Sequence, residues 1–162
     1  MSAGLRIRTA APADREQIFA FIRELADYEK LADQVKATAA DIERALFAEN
    51  PRVFCDIAEW QGAPAGFALW FYNFSTFRGR HGIFLEDLFV RPAFRGKGLG
   101  KGLLAHLAAR AMEEGCARVD WSVLDWNAPS IAFYKSLGAE ALDEWTGFRL
   151  TGEALERLAQ EK

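Results

Sequence analysis

The chain has 162 residues, of which 51% are hydrophobic and 27% are charged, and its formal net charge is −3. This length and composition predict one folded domain over residues 1–162 and exclude a largely disordered chain. Acidic residues outnumber basic residues 23 to 20, so the chain lacks the positive charge that attracts nucleic acid, and no nucleic-acid partner is expected.

Targeting signals and cysteine content indicate the cellular compartment of the protein. The longest apolar run lies at residues 65–72, which is much shorter than the roughly 20 residues of a membrane helix. Residues 1–11 contain no apolar signal-peptide core. Two cysteines, Cys55 and Cys116, do not provide a disulfide framework, and no spacing typical of metal ligands is present. We therefore expect a cytoplasmic protein with no membrane partner and no metal.

Hydrophobic periodicity assigns the elements of the first half of the chain. Alternation predicts a strand at Leu5–Thr9, and apolar residues spaced by three and four predict an amphipathic helix over residues 13–28. A second helix is predicted over Ala39–Phe47, with Thr38 as its N-cap. Three strands of a meander are then predicted at 53–60, 65–74 and 83–90, with turns at 61–64 and 78–82.

The second half of the chain has a different pattern. A glycine-rich basic segment at 95–102 precedes apolar residues at helical spacing, and this helix is predicted to end near Gly115, before a strand over 117–123. A meander followed by such a strand–helix–strand unit predicts an α/β domain with a mixed sheet.

The C-terminal region is predicted to add two helices and one strand. Asn127 would cap a short helix that ends at Gly138. A last strand is predicted over 145–150, and Thr151 would cap the C-terminal helix.

Four alternating glycines of the 95–102 segment lie directly before the helix. Glycine lets a ligand approach the main chain closely, and the first N–H groups of a helix are unpaired and lie at the positive end of its dipole. With Arg95, Lys97 and Lys101 these groups predict a phosphate site, and a flexible turn is the alternative. The spacing matches neither a P-loop nor a dinucleotide fingerprint, so a pyrophosphate other than that of ATP or NAD is the candidate ligand.

Four segments carry a resemblance to a known family. Residues 95–100, Arg-Gly-Lys-Gly-Leu-Gly, resemble the Arg/Gln-x-x-Gly-x-Gly/Ala loop of the GCN5-related N-acetyltransferases (GNAT). Residues 85–90 and 127–134 resemble the family's segments on either side of this loop, and residues 28–35 resemble its diamine acetyltransferase branch, of spermidine/spermine type or thialysine type. The resemblance covers nearly the whole chain. It implies the GNAT acyl-CoA N-acyltransferase fold, a central twisted, mostly antiparallel sheet flanked by helices.

The same resemblance implies acetyl-CoA as co-substrate and assigns positions that bind it. Backbone groups of Leu88, Phe89 and Val90 would pair with the pantetheine arm. The residues that would contact the pyrophosphate are Arg95, Gly96, Lys97, Gly98, Leu99, Gly100 and Lys101, and those that would contact the distal part of the cofactor are Asn127, Ala128, Pro129 and Ser130.

The resemblance also implies a homodimer with substrate pockets near the subunit interface. The positions that would line the amine site are Tyr28, Glu29, Glu86, Asp87, Asp120, Trp121 and Ser122.

Two residues are predicted to be catalytic. Glu86 is the candidate general base, because alternation would place it on an apolar strand face, and a solvated strand acid is the alternative. Alternation places Asp87 on the opposite face unless a bulge intervenes. The resemblance implies that Tyr134 is the acid for the departing thiolate of CoA, and a core tyrosine beside Phe133 is the alternative.

Together these observations predict an acetyl-CoA-dependent N-acetyltransferase that works by direct attack in a ternary complex. Its expected substrate is a primary amine of a small cationic metabolite, such as a diamine, a polyamine or a thialysine-like amino acid. Alternatives are a protein N-terminal or lysine acetyltransferase and a non-catalytic acyl-CoA-binding sensor. A covalent route through Cys55 or Cys116 is a minor alternative.

Overall fold

In the computed structural model, which describes residues 3–161, the chain divides into two units between Ser122 and Val123. The first unit contains a five-stranded sheet and three helices, and the second contains two helices. The strands are β1 (Leu5–Thr9), β2 (Phe54–Trp60), β3 (Ala63–Ser75), β4 (Arg80–Val90) and β5 (Val119–Trp121), and the helices are α1 (Arg15–Tyr28), α2 (Ala39–Phe47), α3 (Leu99–Glu113), α4 (Ala128–Ser136) and α5 (Gly152–Ala159).

The sheet has the strand order β1-β2-β3-β4-β5. Neighbouring strands from β1 to β4 are antiparallel, as expected of a meander joined by short turns. Strand β5 is parallel to β4, because the chain returns through α3. This mixed, mostly antiparallel sheet with its helices confirms the predicted fold class.

Helices cover both faces of the sheet. On one face, Phe21 of α1 stacks on Phe67 of β3 with ring centroids 5.3 Å apart, within a buried cluster that also includes Ile18 and Leu69. Trp70 follows Leu69 and therefore faces the opposite side, where Arg110 of α3 lies over its ring at 5.2 Å. Burial of these large apolar side chains on both faces supplies the main stabilisation of the unit.

Local sequence signals account for several element ends. Thr38 accepts a hydrogen bond from the Asp41 backbone N–H, while the Asp41 carboxylate accepts one from the Thr38 N–H, so the predicted cap of α2 is confirmed. Gly138 has a φ of +88°, as predicted for the glycine that follows α4. None of the helices within residues 3–161 is long and apolar enough to cross a membrane.

Three details of the predicted elements are wrong. Residues 145–150 form no strand, because no other strand within residues 3–161 pairs with them. Strand β5 has three residues instead of the predicted seven, since it pairs with β4 only there. Thr151 stands at the N-cap of α5 but makes no side-chain capping hydrogen bond.

Candidate active site

A β-bulge in β4 determines where the predicted catalytic acids lie. Leu69 of β3 pairs with Asp87, whereas the next residue, Trp70, pairs with Leu85. Glu86 is therefore an extra residue with no partner opposite it, and the bulge moves Asp87 to the face that carries Leu69 and α1. The predicted alternation, which placed Glu86 on an apolar face, is wrong at this point, and Glu86 is exposed to solvent.

Three carboxyl groups come together at the bulge. Burial raises the pKa of Asp87 to about 7, and the negative charges of Glu86 and Glu29 add to this increase. Glu29 follows the end of α1, and partial burial raises the pKa of its carboxyl as well. None of the three forms a salt bridge with a lysine or arginine of residues 3–161. The cluster can therefore attract a cation, and it includes a carboxyl that exchanges a proton near neutral pH.

Beyond the bulge, β4 has an open edge. Strand β5 pairs with β4 only from Ile83 to Leu85, so no strand of residues 3–161 lies beside the last residues of β4 on that side. The Arg91 N–H donates to the Ala65 carbonyl of the β3 side, and because hydrogen-bonding directions alternate in an antiparallel pair, the peptide groups of Leu88 and Val90 point to the open edge. Those of Phe89 point towards β3. An extended, amide-containing arm could pair with Leu88 and Val90 as an added strand would.

The glycine segment joins this edge to α3. Gly96 and Gly98 have φ values of +77° and +83°, in the region that side chains disfavour, and Gly98 is the N-cap of α3. The first N–H groups of this helix have no partner within the helix and carry the positive end of its dipole. The segment therefore has the main-chain geometry that binds a phosphate.

Two cations of the segment lie over aromatic rings. The Arg95 guanidinium carbon is 5.0 Å from the ring centroid of Tyr28 and 5.8 Å from that of Phe89, and Nε donates to the Val90 carbonyl at 3.0 Å. The Lys97 Nζ is 5.4 Å from the ring centroid of Trp60. No sequence signal indicates the contacts with Tyr28 and Trp60, because these two rings come from elements that are distant in the sequence. Lys101 is exposed within α3.

A residue that sequence reasoning missed holds the start of this segment. The guanidinium of Arg91 donates to both carboxylate oxygens of Glu24 in α1, at 2.9 and 3.0 Å, and to the Pro64 carbonyl at 3.1 Å. It also lies 4.7 Å from the ring centroid of Phe21. These contacts tie the end of β4 to α1, and the position of Arg91 directly before Pro92 was the only signal in the sequence.

The predicted amine-site residues of β5 lie where β4 and β5 separate. Asp120 pairs with Phe84 and Trp121 with Leu85, so Trp121 and Ser122 are close to the bulge. The Asp120 carboxylate accepts hydrogen bonds from Arg118 Nε at 2.9 Å and Asn73 Nδ2 at 3.2 Å. Its charge is therefore paired, unlike the charges of the three-acid cluster.

The second unit carries the remaining predicted residues. The buried Asn127 side chain caps α4 by accepting a hydrogen bond from the Ser130 N–H, and Pro129 lies in the first turn. Tyr134 is half-buried on the same helix, and its ring centroid is 5.5 Å from that of Phe133.

The cysteines have little nucleophilic character. Cys55 is buried, and burial with nearby acids raises the pKa of its thiol far above the ordinary value. Burial also raises the pKa of the Cys116 thiol. Both groups are therefore thiols rather than thiolates at neutral pH, which disfavours a covalent route.

Comparison with known proteins gives the family. The model of the Acetyltransferase (GNAT) family matches residues 17–139, which is most of the chain. The chain belongs to the GNAT family. It is therefore an acetyl-CoA-dependent N-acetyltransferase, as the sequence predicted, and the matched range spans both units.

Relatives of this GNAT chain are similar along its whole length. It is 40% identical to the thialysine N-epsilon-acetyltransferase of Sus scrofa, over 97% of this chain and 98% of the relative. It is 35% identical to the human spermidine/spermine N(1)-acetyltransferase-like protein 1, over 97% of this chain and 24% of that longer protein. An integron cassette protein from V. cholerae has the same fold, with a TM-score of 0.80 and 30% identity over 97% of this chain and 98% of that one.

The GNAT fold implies acetyl-CoA as co-substrate, and the first unit fits such a molecule. The open edge at Leu88 and Val90 suits the amides of a pantetheine arm. The positive φ angles of Gly96 and Gly98, together with the start of α3, suit its diphosphate. Among residues 3–161, no group of three or more potential ligands could hold a metal ion.

Proposed function

We propose that this enzyme transfers an acetyl group from acetyl-CoA to a primary amine of a small metabolite that carries a second positive charge. The observation that carries this proposal is the cluster of Glu29, Glu86 and Asp87, whose charges no lysine or arginine of residues 3–161 compensates. Two of the similar proteins have names that contain cationic amines, thialysine and spermidine/spermine, which supports the same substrate class.

Three segments of the chain supply the acetyl-CoA-binding residues of the proposal. Leu88, Phe89 and Val90 lie along the pantetheine arm, and the peptide groups of Leu88 and Val90 form the hydrogen bonds with it. The residues from Arg95 to Lys101 bind the pyrophosphate, and those from Asn127 to Ser130 contact the distal part. When bound, acetyl-CoA supplies the thioester whose acetyl carbon the amine attacks.

The acids prepare the amine. An alkylammonium with a pKa of about 10.4 is protonated at neutral pH and has no lone pair for attack. Glu86, directly or through water, accepts the ammonium proton, and the neighbouring Asp87, with a pKa of about 7, can share it. Glu29 and Asp87 attract the charge of the substrate, and Tyr28, Asp120, Trp121 and Ser122 form the rest of the amine site.

Tyr134 completes the reaction. As the new C–N bond forms, the C–S bond breaks and its electron pair stays on the sulfur. We assign the phenol of Tyr134 as the donor of a proton to that thiolate. The support is its place in the family segment 127–134 and on α4, directly after the Asn127 cap.

The proposal also assigns residues 1–162 to one acetyltransferase domain and the protein to a cytoplasmic homodimer. Large apolar side chains of the second unit support a protein partner: the exposed fraction is 79% for Trp145 and 96% for Phe148. Both cysteines are free thiols, as is usual in a reducing compartment.

A panel of amines tests the function. Acetyl-CoA-dependent thiol release is measured with thialysine, ornithine, spermidine, tyramine and a peptide with a free N-terminus. The proposal predicts the highest kcat/KM for amines with a second positive charge. Preference for the peptide or for tyramine would contradict it.

A further inference from the structure

The contact between Tyr28 and Arg95 connects the predicted amine site with the predicted pyrophosphate-binding segment. Tyr28 is the last residue of α1 and was predicted to line the amine site, whereas Arg95 begins the segment predicted to bind pyrophosphate. In the structure, the Arg95 guanidinium carbon lies 5.0 Å from the Tyr28 ring centroid. This distance is within the range of a cation–π interaction.

Three contacts fix the Arg95 side chain. The rings of Tyr28 and Phe89 lie 5.0 and 5.8 Å from the guanidinium carbon, and Nε donates to the Val90 carbonyl at 3.0 Å. Arginine has five N–H groups, of which Nε–H is used. The four on the Nη atoms make no hydrogen bond within residues 3–161.

This arrangement leaves the outer edge of the guanidinium available to an anion. Two N–H groups on such an edge match the oxygens of a phosphate in a bidentate contact. An exposed arginine side chain loses considerable rotamer entropy when it binds an anion in one position. A ring that already restricts the side chain before the anion binds reduces this loss.

We propose that Tyr28 is a positioning residue for Arg95, so that its ring, through the guanidinium, raises the affinity of the enzyme for the diphosphate of CoA. The proposal rests on the proposed binding of CoA by the Arg95–Lys101 segment. It gives Tyr28 a role towards the co-substrate, in addition to its predicted place beside the amine.

Calorimetric titration with CoA, in the absence of amine, tests the proposal on the full chain. Tyr28→Leu should raise the Kd for CoA about three- to fivefold, which is the size expected of one exposed cation–π contact. Tyr28→Phe keeps the ring and should leave the Kd within about twofold of the wild-type value. Phe77→Leu, which changes an exposed aromatic residue at the β3–β4 hairpin, is the matched control and should have no effect.

A double-mutant cycle separates positioning from a general structural effect. Arg95→Gln should raise the Kd for CoA, and in this background Tyr28→Leu should have no further effect, because Tyr28 acts through Arg95. An equal effect of Tyr28→Leu in both backgrounds, or no effect in the wild type, would overturn the proposal. If the cycle shows coupling but no cationic amine is acetylated, only the proposed substrate class fails. If the wild type does not bind CoA, both proposals fail.

Discussion

Asp87 shows how one inserted residue changes the chemistry of its neighbour. Without the bulge at Glu86, Asp87 would lie on the α3 face of the sheet, whereas the observed register places it beside Leu69 and near Glu29. Burial and two negative neighbours raise its pKa to about 7. A carboxyl with this pKa is half ionised at neutral pH and can accept a proton and release it again.

Replacing Asp87 by asparagine tests this role at the residue scale. The kcat/KM of the wild type should rise as pH increases through about 7, because Asp87 becomes ionised, and Asp87→Asn should lose this step, with a rate about 100-fold lower at pH 8. Asp33→Asn, at an exposed acid, is the control. An unchanged pH profile in Asp87→Asn would contradict this role of Asp87.

The same substitution should stabilise the fold. Because the pKa of Asp87 is higher in the folded chain than the ordinary value of 3.8, the folded state holds the proton more tightly than the unfolded state. Its contribution to stability is present below pH 4 and is lost as pH rises to about 7. Asp87→Asn should therefore raise the free energy of unfolding at pH 8 by about 1–3 kcal/mol, measured by urea denaturation. A destabilised variant would contradict this account.

Tyr134 provides a second test at this scale. Tyr134→Phe removes the phenolic proton while it keeps the ring beside Phe133. We expect kcat to fall about 100-fold with little change in the KM for either substrate, since the proton is needed only as the thiolate departs. Tyr72→Phe is the control, because it removes a phenolic hydroxyl that donates a hydrogen bond to Glu114. Turnover equal to wild type in Tyr134→Phe would remove the assigned role.

At the scale of elements, the sequence predicted most helices and strands because their signals are local. The helix at Ala39–Phe47 follows from Thr38 and the apolar spacing, and the strand at Leu5–Thr9 from simple alternation. The bulge at Glu86 was not predictable, because an inserted residue depends on the register with β3 and leaves no mark in the alternation. Residues 145–150 contain Trp145, Thr146 and Phe148, residue types that are enriched in strands, but a strand also needs a partner, which the composition of a segment does not reveal.

The glycine segment allows a matched test of its backbone. Gly96 has a φ of +77°, and Gly100 lies in the first turn of α3. Apart from the adjacent residues and the backbone of α3, a Cβ added at either position would have no atom within 4 Å. Gly96→Ala should lower the free energy of unfolding by about 1 kcal/mol, because a side chain disfavours this φ. Gly100→Ala should raise it by up to about 1 kcal/mol, because alanine favours a helix. Urea denaturation measures both, and changes of the same sign would contradict the assigned backbone conformations.

At the scale of the whole molecule, the structural support for the proposed dimer is a stretch of exposed apolar residues. Trp145 and Phe148 lie in the stretch that was wrongly predicted as a strand, and both are largely exposed. A second chain that covers this stretch would bury these apolar side chains, for which no partner strand is found within residues 3–161. The positions predicted for the site came from local motifs, whereas the proposed dimer depends on a surface that one sequence does not assign.

Sedimentation equilibrium tests this assembly. The wild type should sediment with twice the mass of one chain, and a variant with Trp145→Ser and Phe148→Ser should sediment as a monomer, because it loses large apolar contact area. Phe77→Ser, at an aromatic residue exposed on the first unit, is the control. A monomeric wild type would refute the dimer. A monomeric Phe77→Ser together with a dimeric double variant would show that the interface lies on the first unit and not at Trp145 and Phe148.

The acids around the bulge should make the enzyme select an amine with a second positive charge. This selectivity is measured as the ratio of kcat/KM for butane-1,4-diamine to that for butan-1-amine, in the wild type and in Glu29→Gln. We predict a ratio of at least about 10 in the wild type, equivalent to about 1.4 kcal/mol, which falls several-fold in Glu29→Gln but not in the exposed control Glu49→Gln. A ratio near 1 in the wild type, or one that Glu29→Gln does not change, would contradict selection by these acids.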